Sequence, residues 1–146
     1  IDSGLIDEEK VSVETPDGIV GPKDEDHVVR GTNEESLSRL RAAFGPDSLV
    51  TAGNASGVVD GAAALVIKSA TQAENDGDTP LAKIISWGIV GIEPAIMAYG
   101  PVPSSLKALK KANLSVDDID RWEINEAFSG AAICSSFDLR GILEKR

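Results

Sequence analysis

The residues best suited to chemistry are few, because the 146-residue chain contains one cysteine and one histidine. Cys134 and His27 cannot form a metal site by themselves, so the sequence predicts none. The sequence also has no P-loop and no dinucleotide-binding fingerprint, and Ser56 comes one position too late in its glycine loop for a nucleophile elbow. We interpret His27 as an ordinary surface histidine.

Three loops of small residues remain as candidate ligand sites. They span residues 51–61, 97–103 and 125–128, and each leads into a predicted ordered element. Small side chains allow a ligand to approach the backbone amides closely. Each loop taken alone is explained equally well by tight packing.

The elements that must position these loops alternate between strands and helices. Apolar runs predict strands at residues 62–67, 81–87 and 119–124, with a further short strand near residues 11–13. Helical periodicity predicts helices at residues 33–44, 69–76, 104–112 and 125–137. The expected caps are Asn33, Ser69 and Asn113, with Ser115 capping one further turn. This alternation is typical of an α/β layer architecture.

Composition and charge argue against several classes of protein function for this chain. Hydrophobic residues make up 42% of the chain, enough for a folded core, and no apolar run is long enough to span a bilayer. The formal net charge of −10 disfavours nucleic acid as a partner. A single cysteine excludes an internal disulfide and fits a reducing, intracellular compartment. Since the sequence does not begin with Met, we expect it to be an excerpt of a longer protein.

The three loops, in their order and spacing, resemble the thiolase family. Residues 50–57 read Val-Thr-Ala-Gly-Asn-Ala-Ser-Gly and residues 60–64 read Asp-Gly-Ala-Ala-Ala, similar to the family's central signature. Residues 97–103 read Met-Ala-Tyr-Gly-Pro-Val-Pro, like the loop before the first helix of its C-terminal domain. Residues 125–128 read Asn-Glu-Ala-Phe and match its asparagine motif. The resemblance runs from about residue 28 to residue 128.

The resemblance implies an acyl-CoA acyltransferase that interconverts 3-oxoacyl-CoA plus CoA with acyl-CoA plus acetyl-CoA. In the family a histidine activates a cysteine, which accepts the acyl group as a thioester, while a second cysteine moves the proton. Coenzyme A and acyl-CoA would be substrates, and no cofactor is expected to stay bound. No nucleic-acid or membrane partner is implied. The parent enzyme would be a homodimer or homotetramer in mitochondria, peroxisomes or cytoplasm.

Site residues follow from the resemblance, position by position. Asn125 would hold a water that stabilises negative charge on the thioester oxygen; the alternative is a helix N-cap. Ser56 would hydrogen-bond the pantetheine arm, with Ala52 packing beside it. Met97 would line the acyl pocket, although without the family it reads as plain core.

The nucleotide end of coenzyme A would lie near two residues earlier in the chain. Arg30 and Ser36 fall in the region that resembles the family's coenzyme-binding helix. A guanidinium suits a phosphate because it presents several donors in a fixed plane.

Several departures from the family pattern limit what the chain can do. The nucleophilic cysteine, the Gly-His-Pro motif and the second catalytic cysteine are all missing from the 146 residues, and the tail at 129–146 diverges. Ala98 stands where the family usually has glycine. We interpret Cys134 as a buried structural thiol. The chain is therefore expected to be inactive alone.

The sequence is also compatible with two other functions. A non-catalytic acyl-CoA-binding or regulatory protein derived from a thiolase would keep Ser56 and Asn125 without turnover. A ketoacyl synthase is disfavoured, because those enzymes typically have histidine in the role of Asn125.

The expected organisation is a thiolase-like α/β layered fold, present only in part, in which mixed sheets carry helices on both faces. Residues 1–58 would end the coenzyme-binding loop region. Residues 59–79 would supply the closing strand and helix of the N-terminal half, and residues 80–146 would begin the C-terminal half.

Overall fold

The computed structural model describes residues 3–21 and 31–144, without the side chains of residues 140 and 142–144. Its strands and helices in chain order are β1 (Val13–Thr15), β2 (Gly18–Val20), α1 (Glu34–Ser38), α2 (Ala70–Asn75), α3 (Pro101–Ala112) and α4 (Ser129–Glu144). Short 3-10 segments occur at Asp7–Glu9, Pro94–Tyr99 and Val116–Asp118, and the second is kinked at Ile96. The chain divides into two compact units, Ile1–Leu40 and Arg41–Arg146.

The first unit contains an antiparallel hairpin of β1 and β2. Val13 lies opposite Val20, and Thr15 lies opposite Gly18. The Thr15 hydroxyl donates to the Gly18 carbonyl at 2.7 Å and closes the turn. Gly18 has a φ of 129°, which L residues rarely adopt. The short strand predicted near residues 11–13 is displaced in the structure, where β1 shares only Val13 with it.

Helix α1 begins at the predicted cap and ends earlier than predicted. The Asn33 side chain accepts from the Ser36 amide at 2.8 Å, and the Ser36 hydroxyl accepts from the Asn33 amide at 3.0 Å, forming a capping box. The helix stops at Ser38, so the prediction of a helix to residue 44 was wrong. Further along, Ala42 is paired with Thr51 in an antiparallel bridge, which is incompatible with helix at that position.

The second unit is built around α3 and α4. Its buried cluster comprises Val102, Leu109, Val116 and Leu139, and Val102 is only 1% exposed. The predicted helix at 104–112 is confirmed and starts slightly earlier, at Pro101, where proline suits the first turn. Leu109 faces the core as its helical spacing indicates.

Three predicted caps in this unit are confirmed. The Ser69 hydroxyl accepts from the Gln72 amide at 3.1 Å at the start of α2. Asn113 ends α3 in the left-handed conformation, with φ 56°. The Asp118 carboxylate accepts from the Ser115 amide at 2.7 Å.

The three predicted strands of this unit are not formed in the structure. Residues 62–67, 81–87 and 119–124 are neither helical nor paired in a sheet. Leu65 and Val66 are 85% and 89% exposed, so no described segment covers the first run. A strand needs a neighbour to satisfy its backbone groups, and the described residues supply none for it. An apolar run in the sequence is therefore not enough to predict where two strands pair.

The apolar side chains of residues 119–124 are nevertheless partly buried, although not in strict alternation. Ile119, Trp122 and Ile124 are partly buried and pack against the α3–α4 core, whereas Glu123 is exposed. This segment leads directly into residues 125–128 and fixes their approach to α4. Within the described residues no helix is both long and apolar enough to cross a membrane.

Candidate acyl-CoA site

Two of the three small-residue loops meet in the structure. The Ser56 amide donates to the Ala127 carbonyl at 3.0 Å, and the Ser56 hydroxyl donates to the Glu126 carbonyl at 3.1 Å. The Ser129 amide donates to the Asn54 carbonyl at 3.0 Å. These three hydrogen bonds join residues that are 70 to 75 positions apart in sequence. They define the candidate site, made of residues 50–57 and 125–129.

Asn54 organises its side of the site, a role that the sequence analysis missed. Its side-chain carbonyl accepts from the Thr51 amide at 2.8 Å, and its side-chain amide donates to the Leu49 carbonyl at 2.9 Å. Its backbone carbonyl receives the first amide of α4, which a helix leaves without an internal partner. The available signal was an asparagine in a glycine loop, since Asn side chains commonly bond to nearby backbone.

The loop at residues 50–57 is also held on its other side. Thr51 pairs with Ala42 in the antiparallel bridge, and the Phe44 and Phe128 rings pack edge to face with centroids 6.2 Å apart. Edge-to-face packing is a favourable arrangement for two aromatic rings. The loop is thus braced between residues 42–44 and residues 125–129.

Asn125 has an exposed side chain whose amide forms no hydrogen bond within the described part of the chain. Its backbone carbonyl accepts from the Ala127 amide at 3.0 Å. Helix α4 begins only at Ser129, so the predicted start at residue 125 and the alternative that Asn125 caps the helix were both wrong. The first α4 amide bonds to the Asn54 carbonyl instead. The Asn125 amide therefore has its donors available for a water or a ligand.

The Ser56 hydroxyl has its single proton committed to the Glu126 carbonyl. It can still accept, because a hydroxyl has two lone pairs. A ligand amide N–H fits this remaining capacity, and a ligand carbonyl does not. Ala52 lies exposed on the same loop, and its predicted packing against a ligand stays a prediction.

Met97 lies in the 3-10 turn Pro94–Tyr99, which packs against α4. Its side chain is 59% exposed, so the alternative of Met97 as plain core was wrong. The pKa of Tyr99 is raised by hydrogen bonding to Asp138 of α4, because ionising the phenol would break that bond and place two negative charges together.

We expect a tyrosine titration to report the interaction between Tyr99 and Asp138 directly, since Tyr99 is the chain's one tyrosine. Asp138→Asn should lower the pKa of Tyr99 toward its ordinary value of 10.0. Because the pKa of Tyr99 is raised in the folded state, its interaction with Asp138 stabilises the fold at pH values below the ordinary tyrosine pKa. This stabilisation is lost as pH rises through the raised pKa. Tyrosinate absorbance against pH measures it. An identical titration curve in the variant would mean that the two side chains do not interact.

Neither of the two residues predicted near the nucleotide end belongs to the described part of the unit that forms this site. Ser36 lies in the first unit, where its hydroxyl donates to the Asn33 carbonyl at 2.8 Å within the α1 capping box. Its proton is therefore not free for a phosphate in this conformation. Arg30 lies outside the described residues. Both assignments stay predictions.

Cys134 is exposed on α4, and the prediction that it is a buried thiol was wrong. Ile133 and Phe137 on the same helix are 54% and 69% exposed. This part of the helix has no cover among the described residues. Its small-residue content resembles a buried helix, which explains the error.

Comparison with known families decides the identity of these loops. The family model described as the N-terminal domain of thiolase matches residues 2–71, and the model described as the C-terminal domain of thiolase matches residues 78–145. The chain belongs to the thiolase family. Its α/β fold is a part of the thiolase fold, as the sequence predicted.

Curated relatives and solved structures agree with this membership. The chain is 48% identical over 98% of its length to a 3-ketoacyl-CoA thiolase of Marinobacter nauticus, of which it covers 38%. It is 44% identical over 87% of its length to an acetyl-CoA acetyltransferase of Rhizobium meliloti, of which it covers 32%. The crystal structure of human mitochondrial 3-ketoacyl-CoA thiolase superposes with a TM-score of 0.79 and 40% identity, covering 95% of this chain and 36% of that one. The chain thus spans about a third of the length of the thiolases that it matches.

Proposed function

We propose that this chain forms part of a thiolase-type acyltransferase, which interconverts 3-oxoacyl-CoA plus CoA with acyl-CoA plus acetyl-CoA. The observation that carries the proposal is the hydrogen-bonded junction between residues 50–57 and residues 125–129. That junction puts Ser56, whose hydroxyl can still accept a hydrogen bond, beside an asparagine with an unengaged side-chain amide. Relatives named 3-ketoacyl-CoA thiolase and acetyl-CoA acetyltransferase support the same reaction class.

In this proposal Asn125 stabilises charge during the chemical step. Its side-chain amide donates to a water, and that water donates to the thioester oxygen as negative charge develops there. A donor held in place before the reaction costs no reorganisation in the transition state. The three bonds from the 50–57 loop supply that rigidity.

The remaining site residues bind rather than react. Ser56 accepts from an amide N–H of the pantetheine arm, Ala52 packs beside that arm, and Met97 borders the acyl group. Arg30 and Ser36 serve the nucleotide end. The solved complex of human mitochondrial 3-ketoacyl-CoA thiolase with CoA, 39% identical over 95% of this chain with a TM-score of 0.77, supports coenzyme A as the ligand.

The proposed boundary between the two thiolase halves lies at residues 79–80. Residues 1–58 belong to the coenzyme-binding loop region, residues 59–79 close the N-terminal half, and residues 80–146 open the C-terminal half. The separate family-model matches, which leave a gap between residues 71 and 78, support a junction close to this point.

The alternative function is a non-catalytic acyl-CoA-binding protein. The chain's one cysteine, Cys134, lies within α4, and the lack of a second thiol in these 146 residues does not distinguish the two functions. Binding through Ser56 and Asn125 needs no thiol. A measurement of turnover distinguishes an acyltransferase from a non-catalytic binding protein.

We expect the isolated chain to show no CoA-dependent cleavage of acetoacetyl-CoA, because an activated thiol is required for acyl transfer. A thiolysis assay at saturating substrate measures it, with Cys134→Ser as the control. Turnover that disappears in the Cys134→Ser variant would overturn this expectation and make Cys134 the nucleophile.

The proposed function is tested in a graft, defined here as the Marinobacter nauticus thiolase with its matching segment replaced by this chain. The two sequences are 48% identical across the exchanged region. We expect the graft to cleave acetoacetyl-CoA. A folded graft that binds CoA without turnover would instead support the non-catalytic alternative.

A further inference from the structure

Residues 86–89 lie along helix α3 and are bonded to it at three points. The Lys107 ammonium donates to the Ile89 carbonyl at 2.7 Å, and the Lys111 ammonium donates to the Trp87 carbonyl at 3.0 Å. The Ser86 hydroxyl donates to the Ala108 carbonyl at 2.7 Å. Lys111 also lies 5.2 Å from the centroid of the Trp87 ring. We call the two lysine–carbonyl bonds the lysine latch.

The spacing of the latch follows from the geometry of its two elements. Lys107 and Lys111 lie one turn apart on one face of α3, about 6 Å along its axis. Carbonyls of residues two apart in an extended chain point the same way, about 6.7 Å apart. Trp87 and Ile89 are two residues apart, so the spacing of their carbonyls matches the spacing of the two lysines on one face of α3.

Gly88 shows that this contact is a close backbone approach. A Cβ built on Gly88 would lie 2.1 Å from the Ser104 carbonyl oxygen and 3.0 Å from the Ala108 amide nitrogen. No side chain larger than hydrogen fits there without movement of the backbone. The segment therefore packs directly against α3, between the two lysine contacts.

The latch closes the loop that carries Met97. Residues 90–100 leave the latch and return to the same helix at Pro101, so both ends of this loop are fixed to α3. Within the loop, the segment Pro94–Tyr99 also packs against α4. Releasing one end would free the turn to shift relative to the core.

We propose that Lys107 and Lys111 are positioning residues that hold the Met97 turn and thereby set the shape of the acyl pocket. The pocket assignment rests on the proposed function, whereas the restraint of the loop does not. The two lysines act through residues 87–99 and touch no substrate. Their removal should change selectivity between short and long acyl groups more than the rate of the chemical step.

The restraint is tested by hydrogen–deuterium exchange on this chain. Replacing both lysines, as Lys107→Met with Lys111→Met, should accelerate exchange of amides at residues 87–99 about tenfold, the effect of losing a charged hydrogen bond. Lys110→Met is the matched control, because Lys110 is exposed on the same helix and its side chain forms no hydrogen bond or ion pair within the described residues. The double replacement by Arg keeps charge and donors and should restore slow exchange. Equal exchange in the double Met variant and the Lys110 variant would overturn the proposal.

The positioning role is tested in the graft by the ratio of kcat/KM for a short and a long 3-oxoacyl-CoA. The double Met variant should change this ratio at least about threefold, mainly through KM, and the Lys110 variant should not. Faster exchange with an unchanged ratio would leave the thiolase assignment standing and overturn the positioning role. An inactive parent graft would overturn the proposed function, while the exchange experiment would still decide whether the latch restrains the loop.

Discussion

Asn125→Ala in the graft is expected to lower kcat by about 10²-fold, the effect of removing one oxyanion-hole donor, and to leave KM nearly unchanged. A charge-stabilising water matters in the transition state far more than in the ground state. Steady-state kinetics with acetoacetyl-CoA and CoA measures both constants. Since α4 begins at Ser129, the substitution removes no helix cap, and a loss of activity is not explained by fraying of α4.

Asn125→Asp is the informative companion variant. It keeps the size of the side chain, removes its amide donors, and adds negative charge where charge is meant to be stabilised. We expect a loss at least as large as that of the alanine variant. Full activity of Asn125→Asp would exclude Asn125 from charge stabilisation.

Ser56→Ala should behave differently from Asn125→Ala. It removes an acceptor for the pantetheine arm, so KM for CoA should rise about threefold to tenfold. The kcat should fall less, because the Ser56 amide still donates to the Ala127 carbonyl and Ser129 still donates to Asn54.

Gly88→Ala is expected to have the largest effect on stability. The added methyl group would meet backbone of α3, which cannot rotate away as a side chain can. Overpacking of this kind typically costs about 1–3 kcal/mol in the free energy of unfolding. Urea unfolding followed by circular dichroism measures the difference from the parent chain.

Gly91→Ala provides the matched control, because no heavy atom lies within 4 Å of a Cβ built there and its φ is not positive. We expect its stability to be unchanged or raised by up to about 1 kcal/mol, through a less flexible unfolded chain. Equal stabilities of the two alanine variants would mean that residues 86–89 do not pack against α3.

The elements predicted best were those that depend on residues close to one another in sequence. Asn33, Ser69, Asn113 and Ser115 act as caps in the structure, because capping depends on residues three or four positions away. The helix at 104–112 was found for the same reason. Strands depend on partners distant in sequence, and the runs at residues 62–67 and 81–87 find no partner strand among the described residues.

The sequence predicted the segments that form the candidate site but not the contacts that join them. The motifs singled out residues 51–61 and 125–128, and these do meet. The contacts that join them are mostly backbone hydrogen bonds, such as the one between Ser129 and Asn54, and a side-chain pattern does not reveal such bonds. Asn125 was misread as a possible cap because Asn favours both roles. The lysine latch was missed because lysines on an exposed helix face usually indicate only solvation.

The most direct test of the joined site is a double-mutant cycle of Ser56→Ala and Asn125→Ala on kcat/KM in the graft. The Ser56 hydroxyl bonds to the carbonyl next to Asn125 in sequence, so the two positions should not act independently. Contacting or networked residues show coupling energies of about 0.5–3 kcal/mol. We predict a double variant at least about twofold more active than the product of the single losses. Losses that multiply fully would contradict a single site formed by residues 50–57 and 125–129.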